Sequence, residues 1–465
     1  MFIITTPTIL QPTLATTVTN LSANTTTATT TYTKNNTFTL LPSNQSSTSL
    51  ADKTNVTLRG HLTDLGDPGR WNQLLQPALD ELNRRHPDMN IQIEYTDSLY
   101  NETRDIILDN LSSGDSLDFV SVGDLWLGEF AELGLLSNLS AEAEQWGKLS
   151  DLYEANLDGL VYNNTIYGLW LWTDVRGMWY WKDMLQEAGV DPESLKTWDG
   201  YISAAVKLDD FFEEEDNNVI QGVHLVGASH DLDLWYPYLW MLGGEILELR
   251  EGHPTKGVYW FPSYNSSEGV TAMEFLKRQV VEAGIEPQDR PYLDIAFVNR
   301  NFSVMLAGSW LPGEFPKESW PTLEQEVGFI PMFPVPNQTI QTSTMMGGYE
   351  LSIPSKSQHS DLAWEMITIM AQPEILGPFL QEYGYLPTQK TIGEGPSSQP
   401  LKESIPYFEE MVSMIPYGRS RPSLPEYPEI ADHLHQAIQQ VYNGSASPEA
   451  ALDMAAAKTA DSLGW

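Results

Sequence analysis

Five segments between Thr57 and Val122 constrain the fold more than any other part of the chain. Thr57 to Leu62 has the apolar content of a strand, and Trp71 to Arg85 places apolar residues at helical spacing before Pro87. Asn90 to Tyr95 (Asn-Ile-Gln-Ile-Glu-Tyr) alternates with period two. Glu102 to Leu111 returns to helical spacing, and Asp118 to Val122 is a short apolar strand. Strand–helix–strand–helix–strand at this spacing requires parallel pairing with right-handed crossovers, so the first lobe is expected to be α/β. Ligands of such sheets bind beyond the carboxyl ends of the strands. That rule makes the loop Gly123-Asp124-Leu125-Trp126 ligand-facing and marks Asp124 and Trp126 as candidates. A capping Asp and a packing Trp are the structural alternatives.

Further along, Asn163 to Gly168 reads as a hairpin turn, followed by extended chain from Leu169 through Tyr180-Trp181. Helices are expected from Lys182 to Ala188, from Trp198, near Leu234 to Leu242 and near Val270 to Ala283. Strands are expected at Gly222 to Val226 and Phe302 to Ala307. From about Leu362 the pattern is largely helical. No internal repeat or linker interrupts residues 55–465.

The first 54 residues have a different texture. Thr5 to Ser49 is a Thr/Ser/Asn-rich tract with too little apolar surface to fold, and is expected to be a disordered stalk. The start (Phe2, Ile3, Ile4, Ile9, Leu10) is broken by Pro7 and Pro12 and has no basic residue before Lys34. It therefore makes a poor signal peptide, and a leader lying upstream or a different start is expected. Asn-x-Ser/Thr sequons begin at Asn20, Asn24, Asn35, Asn44, Asn55, Asn101, Asn110, Asn138, Asn163, Asn265, Asn301, Asn337 and Asn443, which favours a glycosylated exterior protein.

Charge and cysteine content exclude several classes. With 63 acidic against 25 basic side chains the net charge is -38, a surface that repels nucleic acid and anionic lipid. There is no cysteine, hence no disulfide, thiolate metal site or thiol nucleophile. No nucleophile elbow or P-loop appears. His433 and His435 are two apart, and Glu213 to Asp216 reads as a solvated acidic turn. Neither cofactor nor metal is expected.

Several motifs carry a family resemblance. Tyr167-Gly168-Leu169-Trp170-Leu171 precedes Met178-Trp179-Tyr180-Trp181-Lys182-Asp183, then Ala188-Gly189-Val190-Asp191 and Thr197-Trp198-Asp199. Downstream stand Leu242-Gly243-Gly244, Ala307-Gly308-Ser309-Trp310 and Met346-Gly347-Gly348-Tyr349. Gly384-Tyr385-Leu386-Pro387 and Arg421-Pro422 complete the set. In this order they resemble the extracellular solute-binding proteins of the carbohydrate-uptake group, the family of maltose-binding protein. Lys196 and Trp170 stand where that family usually has proline. The resemblance implies two α/β lobes joined by crossing segments with a ligand in the cleft: residues 55–171 and 331–372 as lobe 1, residues 172–330 and 373–465 as lobe 2. It implies a monomeric extracytoplasmic receptor that hands a sugar or oligosaccharide to the membrane permease subunits of an ABC importer, without catalysis.

It also implies a site. Trp310 matches a family position that stacks on sugar, and Asp174 a carboxylate that accepts sugar hydroxyls, with Trp172 and Arg176 beside it. Asp124 and Trp126 match the first-lobe loop. Asp231 and Trp235 fall in a second-lobe ligand loop, Gly348 and Tyr349 in a segment that approaches the ligand, and Tyr417 near a C-terminal aromatic contact. Sugars present hydroxyls around weakly apolar faces, so aromatic plates with carboxylates suit them; the chain has 15 Trp and 20 Tyr. The same fold could take a polyamine or a glycerol phosphate. A glycoside hydrolase would need two carboxyls at a set separation, which sequence spacing does not show. A surface-layer or adhesion protein would explain the stalk and sequons but not the motifs.

Overall fold

The computed structural model describes residues 37–43, 53–66, 69–214, 221–226, 231–253, 255, 257–285, 287–288, 293–331 and 342–465. Two sheets organise it. The first has six strands in the order Thr37–Leu40, Met89–Ser98, Thr54–Thr63, Phe119–Gly123, Tyr349–Ser352, Gly168–Trp170. Thr54–Thr63 pairs in parallel with both Met89–Ser98 and Phe119–Gly123, as the spacing of the opening segments predicts. Ile91, Ile93 and Tyr95 are buried while their polar neighbours are less so, which is the alternation of a strand with one covered face. The helix Asn72–Arg85 buries Leu74, Leu75, Ala78, Leu79 and Leu82, and carries Arg84 and Arg85 in its last turn, where cations suit the helix dipole.

The second sheet runs Pro287–Gln288, Gln221–Val226, Phe302–Gly308, Trp172–Trp181, Thr344–Gly347, Gly418–Arg419, with Val327–Ile330 and Leu386–Pro387 also pairing to Trp172–Trp181. Among the described residues, two of the chain's passages between the sheets lie side by side. Leu171 separates Gly168–Trp170 from Trp172–Trp181, and Gly348 separates Thr344–Gly347 from Tyr349–Ser352. Gly348 has φ +145°, and a Cβ there would meet the Trp172 carbonyl oxygen at 2.9 Å, so this crossing requires glycine.

Some boundaries differ from those expected. Thr37–Leu40, placed in the stalk, is an edge strand antiparallel to Met89–Ser98. Its Thr-Phe-Thr-Leu alternation buries Leu40 and stacks Phe38 on Tyr95 at 4.7 Å. The other described residues before 54 are 41–43 and 53. The helix Pro373–Tyr383, expected with the second lobe, contacts Asn72–Arg85 of the first lobe as well as Gln399–Ser404 and Leu311–Glu314. Residues 332–341 of the expected return to lobe 1, and the acidic turn at 215–216, lie outside the described residues.

His61, on Thr54–Thr63, is 1% exposed, with Nδ1 at 2.7 Å from Thr96 Oγ1 and Nε2 at 2.8 Å from Ser98 Oγ. Burial lowers its pKa from 6.5 to about 4. The folded value lies below the unfolded one, so this contribution is full above pH 6.5 and is lost as pH falls to about 4. It amounts to on the order of 3 kcal/mol. Urea unfolding of His61→Gln at pH 7 and pH 4.5 should show a smaller acid-induced loss than the native chain. Equal losses in the two proteins would sink this assignment.

Candidate functional site

The carboxyl end of Phe119–Gly123 delivers Asp124 and Trp126. The first residue of the helix Tyr100–Ser113, which follows Met89–Ser98, delivers Tyr100, and the crossing strand delivers Tyr349. Tyr100 stacks on Trp126 with ring centroids 5.3 Å apart and lies 6.0 Å from the Tyr349 ring. From the second lobe, Trp172–Trp181 delivers Asp174 and Arg176, the helix Asp231–Met241 delivers Asp233, and the turn after Phe302–Gly308 delivers Trp310.

An alternating chain of charges joins these elements. Arg421, just beyond the strand Gly418–Arg419, donates from Nη1 to both Asp124 oxygens (3.0 and 3.1 Å) and from Nη2 to Asp233 Oδ1 (2.5 Å). Arg176 reaches Asp233 Oδ2 at 3.4 Å and pairs with Asp174. The five side chains are between 4 and 16% exposed. Burial works against the charge of Arg421, and Asp124 and Asp233 more than offset it, holding its pKa well above the ordinary value. Burial pushes the Asp174 carboxyl up, opposed by Arg176. Arg176 lies 4.4 Å from the Trp310 ring centre, and Trp310 Nε1 donates to Asp294 Oδ2 at 2.9 Å. A Cβ on Gly347 would stand 2.9 Å from Asp174 Oδ2, so that carboxylate needs a glycine opposite it.

Beside this chain is an aromatic nest. Trp172 stacks on Tyr385 (5.5 Å, 12°) and touches Trp71 and Phe379. Arg70 donates to Tyr385 Oη at 3.1 Å and covers the Tyr383 ring at 4.4 Å. Behind it, Trp170 Nε1 donates to Glu350 Oε2 at 2.7 Å; burial pushes the pKa of that fully enclosed carboxyl well above the ordinary carboxylate value, opposed by the Trp170 hydrogen bond. A groove of about 730 Å³ adjoins the chain of charges, lined by Tyr162, Asn163, Trp240, Trp260, Arg419 and Arg421 among others.

The structure thus brings Asp124, Trp126, Trp172, Asp174, Arg176, Trp310, Gly348 and Tyr349 together. Trp235 is not among them: it is fully buried, packed on Tyr236 and Tyr264, because two residues along a helix from Asp233 turns a side chain away from the cluster. Tyr417 is 51% exposed and stands outside the cluster. Asp231 opens its helix, and its side chain lies outside the described residues. The sequence reading missed Arg421, Arg70, Tyr100 and Tyr385 and took the cleft to be chiefly acidic and aromatic. Among the described residues there is no group of three His, Asp or Glu able to hold a metal, and no helix long and apolar enough to cross a membrane.

Two sheets crossed by adjacent strands, with aromatic and charged side chains converging from both, define a two-lobed α/β binding protein. Solved structures share that fold. An ABC transporter solute-binding protein of Thermotoga lettingae bound with α-D-tagatose matches with a TM-score of 0.71 at 22% identity, covering 89% of this chain and 100% of the other. A maltose-bound T. maritima protein matches with 0.70 at 20% identity (87% and 98%), and a ribitol complex from Agrobacterium radiobacter with 0.67 at 22% (87% and 98%). Residues 69–375 match the model of the bacterial extracellular solute-binding protein family, and the chain belongs to that family. Membership implies an extracytoplasmic location. A Brucella abortus protein described only as a binding protein is 26% identical over 357 residues, 75% of this chain and 80% of its own length. The arabinooligosaccharide-binding protein of Bacillus subtilis is 22% identical over 314 residues (64% and 66%).

Proposed function

We propose that this chain is a receptor that captures a neutral sugar or oligosaccharide between its lobes and delivers it to the permease subunits of an ABC importer. The observation that carries this reading is the interlobe cluster, where the Tyr100, Trp126, Tyr349 and Trp310 rings converge with Asp124, Asp174 and Arg176. Rings cover the apolar faces of a sugar, and carboxylates and guanidinium groups take its hydroxyls. The relatives bound to tagatose, maltose and ribitol, and the one named for arabinooligosaccharides, share neutral polyhydroxyl chemistry, which supports this ligand class. The lobes we propose are the two sheets with their helices, and the hinge is the pair of crossings at Leu171 and Gly348. A ligand touching both lobes favours the closed arrangement in proportion to its extra contacts there.

No catalytic step is proposed. Asp124, Asp174 and Asp233 are each held by a guanidinium, and the buried Glu350 is enclosed against Trp170 rather than presented to a ligand. The net charge of -38 speaks against nucleic acid as a partner, and we propose a monomer. We also propose the exposed sequons, Asn55, Asn163 and Asn443 among them, as glycan sites of a protein at the cell surface. The test is a thermal-shift and Trp-fluorescence screen of the full chain against neutral oligosaccharides, polyols, polyamines and glycerol phosphates. A saturable rise in Tm with one saccharide class, and no cleavage products, is expected. A response to polyamines alone, or release of smaller sugars, would overturn it.

A further inference from the structure

We infer that Arg421 sets the charge class of the ligand: it pairs with both Asp124 and Asp233 from within the chain and so closes the cleft to cations while leaving it open to neutral polyols. The inference rests on the receptor reading above and specifies its selectivity. Asp124 comes from the first sheet and Asp233 from a helix of the second lobe, and one guanidinium bridges both. Two buried carboxylates brought this close could not both stay ionised without a cation between them. An amine-bearing ligand would supply that cation, and in this protein Arg421 already occupies the place. Arg176 does the same for the other edge of Asp233 and for Asp174. The sequence Asp124, Arg421, Asp233, Arg176, Asp174 therefore alternates in sign, and an ammonium approaching any of its carboxylates would meet a guanidinium already beside it. Carboxylate lone pairs not used by Arg421 can still accept hydroxyls, which carry no charge to be repelled.

Removing the guanidinium should convert the selectivity. Arg421→Ala leaves a hole between two carboxylates that a small cation can fill. The experiment is thermal melting of the full-length native chain and of Arg421→Ala with putrescine or methylguanidinium, using NaCl at matched ionic strength as the control. The native chain should not respond. The variant should gain about 3 °C or more at saturation with either cation. A triple variant, Asp124→Asn, Asp233→Asn and Arg421→Met, lacks the carboxylates and should lose that response. If Arg421→Ala is not recovered folded, Arg421→Gln, which keeps hydrogen-bonding capacity without charge, gives the same test. An unresponsive Arg421 variant, or a native chain that responds as strongly, would overturn the inference. Failure of the receptor reading is a separate result: native melts that no saccharide moves.

Discussion

Gly308→Val is expected to weaken saccharide binding as much as Trp310→Ala, although residue 308 need touch no ligand. A Cβ at Gly308 would stand 1.8 Å from Trp310 Cζ3 and 2.0 Å from Cε3, so the indole lies across the α-carbon of Gly308. The ring is fixed elsewhere by the Arg176 guanidinium and by the Asp294 carboxylate on Nε1. Strand pairing sets Gly308 opposite Arg176, which places the Trp310 ring over that arginine. A side chain at 308 must expel the indole from this position, whereas the φ of Gly308 is not in the left-handed region and the backbone itself accepts substitution. Truncating an aromatic anchor costs about 2 to 4 kcal/mol, or roughly 30- to 1,000-fold in Kd. Isothermal titration with the saccharide selected by the screen should show that loss in both variants, with Trp310→Phe in between. Native affinity in a folded Gly308→Val protein would remove Trp310 from the binding wall.

That pair also shows what could be read from the sequence. A glycine two residues before a tryptophan at a strand end is visible as a motif, and its physical meaning, a ring lying on a bare α-carbon, is local. Asp124 and Trp126 were legible for the same reason, since they follow a recognisable parallel strand. Tyr100 lay within reach of that rule, following the strand that ends at Ser98. Arg421 was not legible: it meets Asp124 across 297 residues and Asp233 across 188, and only the fold joins them. Arg70 and Tyr385, 315 residues apart, are a similar case. Trp235 failed in the opposite way. It was placed in a ligand-binding segment although a helix was expected from about Leu234; the helix starts at Asp231, and helical period sends positions 233 and 235 to different faces. The strand Thr37–Leu40 was hidden by its Thr-rich surroundings, though its four-residue alternation is plain once Tyr95 is known to stack on Phe38.

Asp233→Ala should be the most destabilising single change in the cluster. Asp233 is the only carboxylate in the chain of charges set between two arginines, Arg421 at 2.5 Å and Arg176 at 3.4 Å. Asp124 and Asp174 sit at its ends. Losing an end carboxylate leaves one arginine still paired through Asp233. Losing the middle one leaves two guanidinium groups buried near each other with no anion between them. Exposures of 10 and 11% give these cations little access to water, so solvent screening offsets little of the loss. Removing one partner from a buried pair costs about 3 to 5 kcal/mol. Urea unfolding of Asp233→Ala should show a loss in that range, largely insensitive to added NaCl. Adding Arg176→Met, which removes one of the two facing guanidinium groups and keeps an unbranched apolar stem, should restore at least half of it. A loss under about 0.5 kcal/mol, the range of ordinary surface changes, would mean that water already solvates the relay. Recovery in the double variant would identify the cost of Asp233→Ala as repulsion between the two guanidinium groups rather than lost packing, because Arg176→Met removes one of them without filling the space that Asp233 vacates.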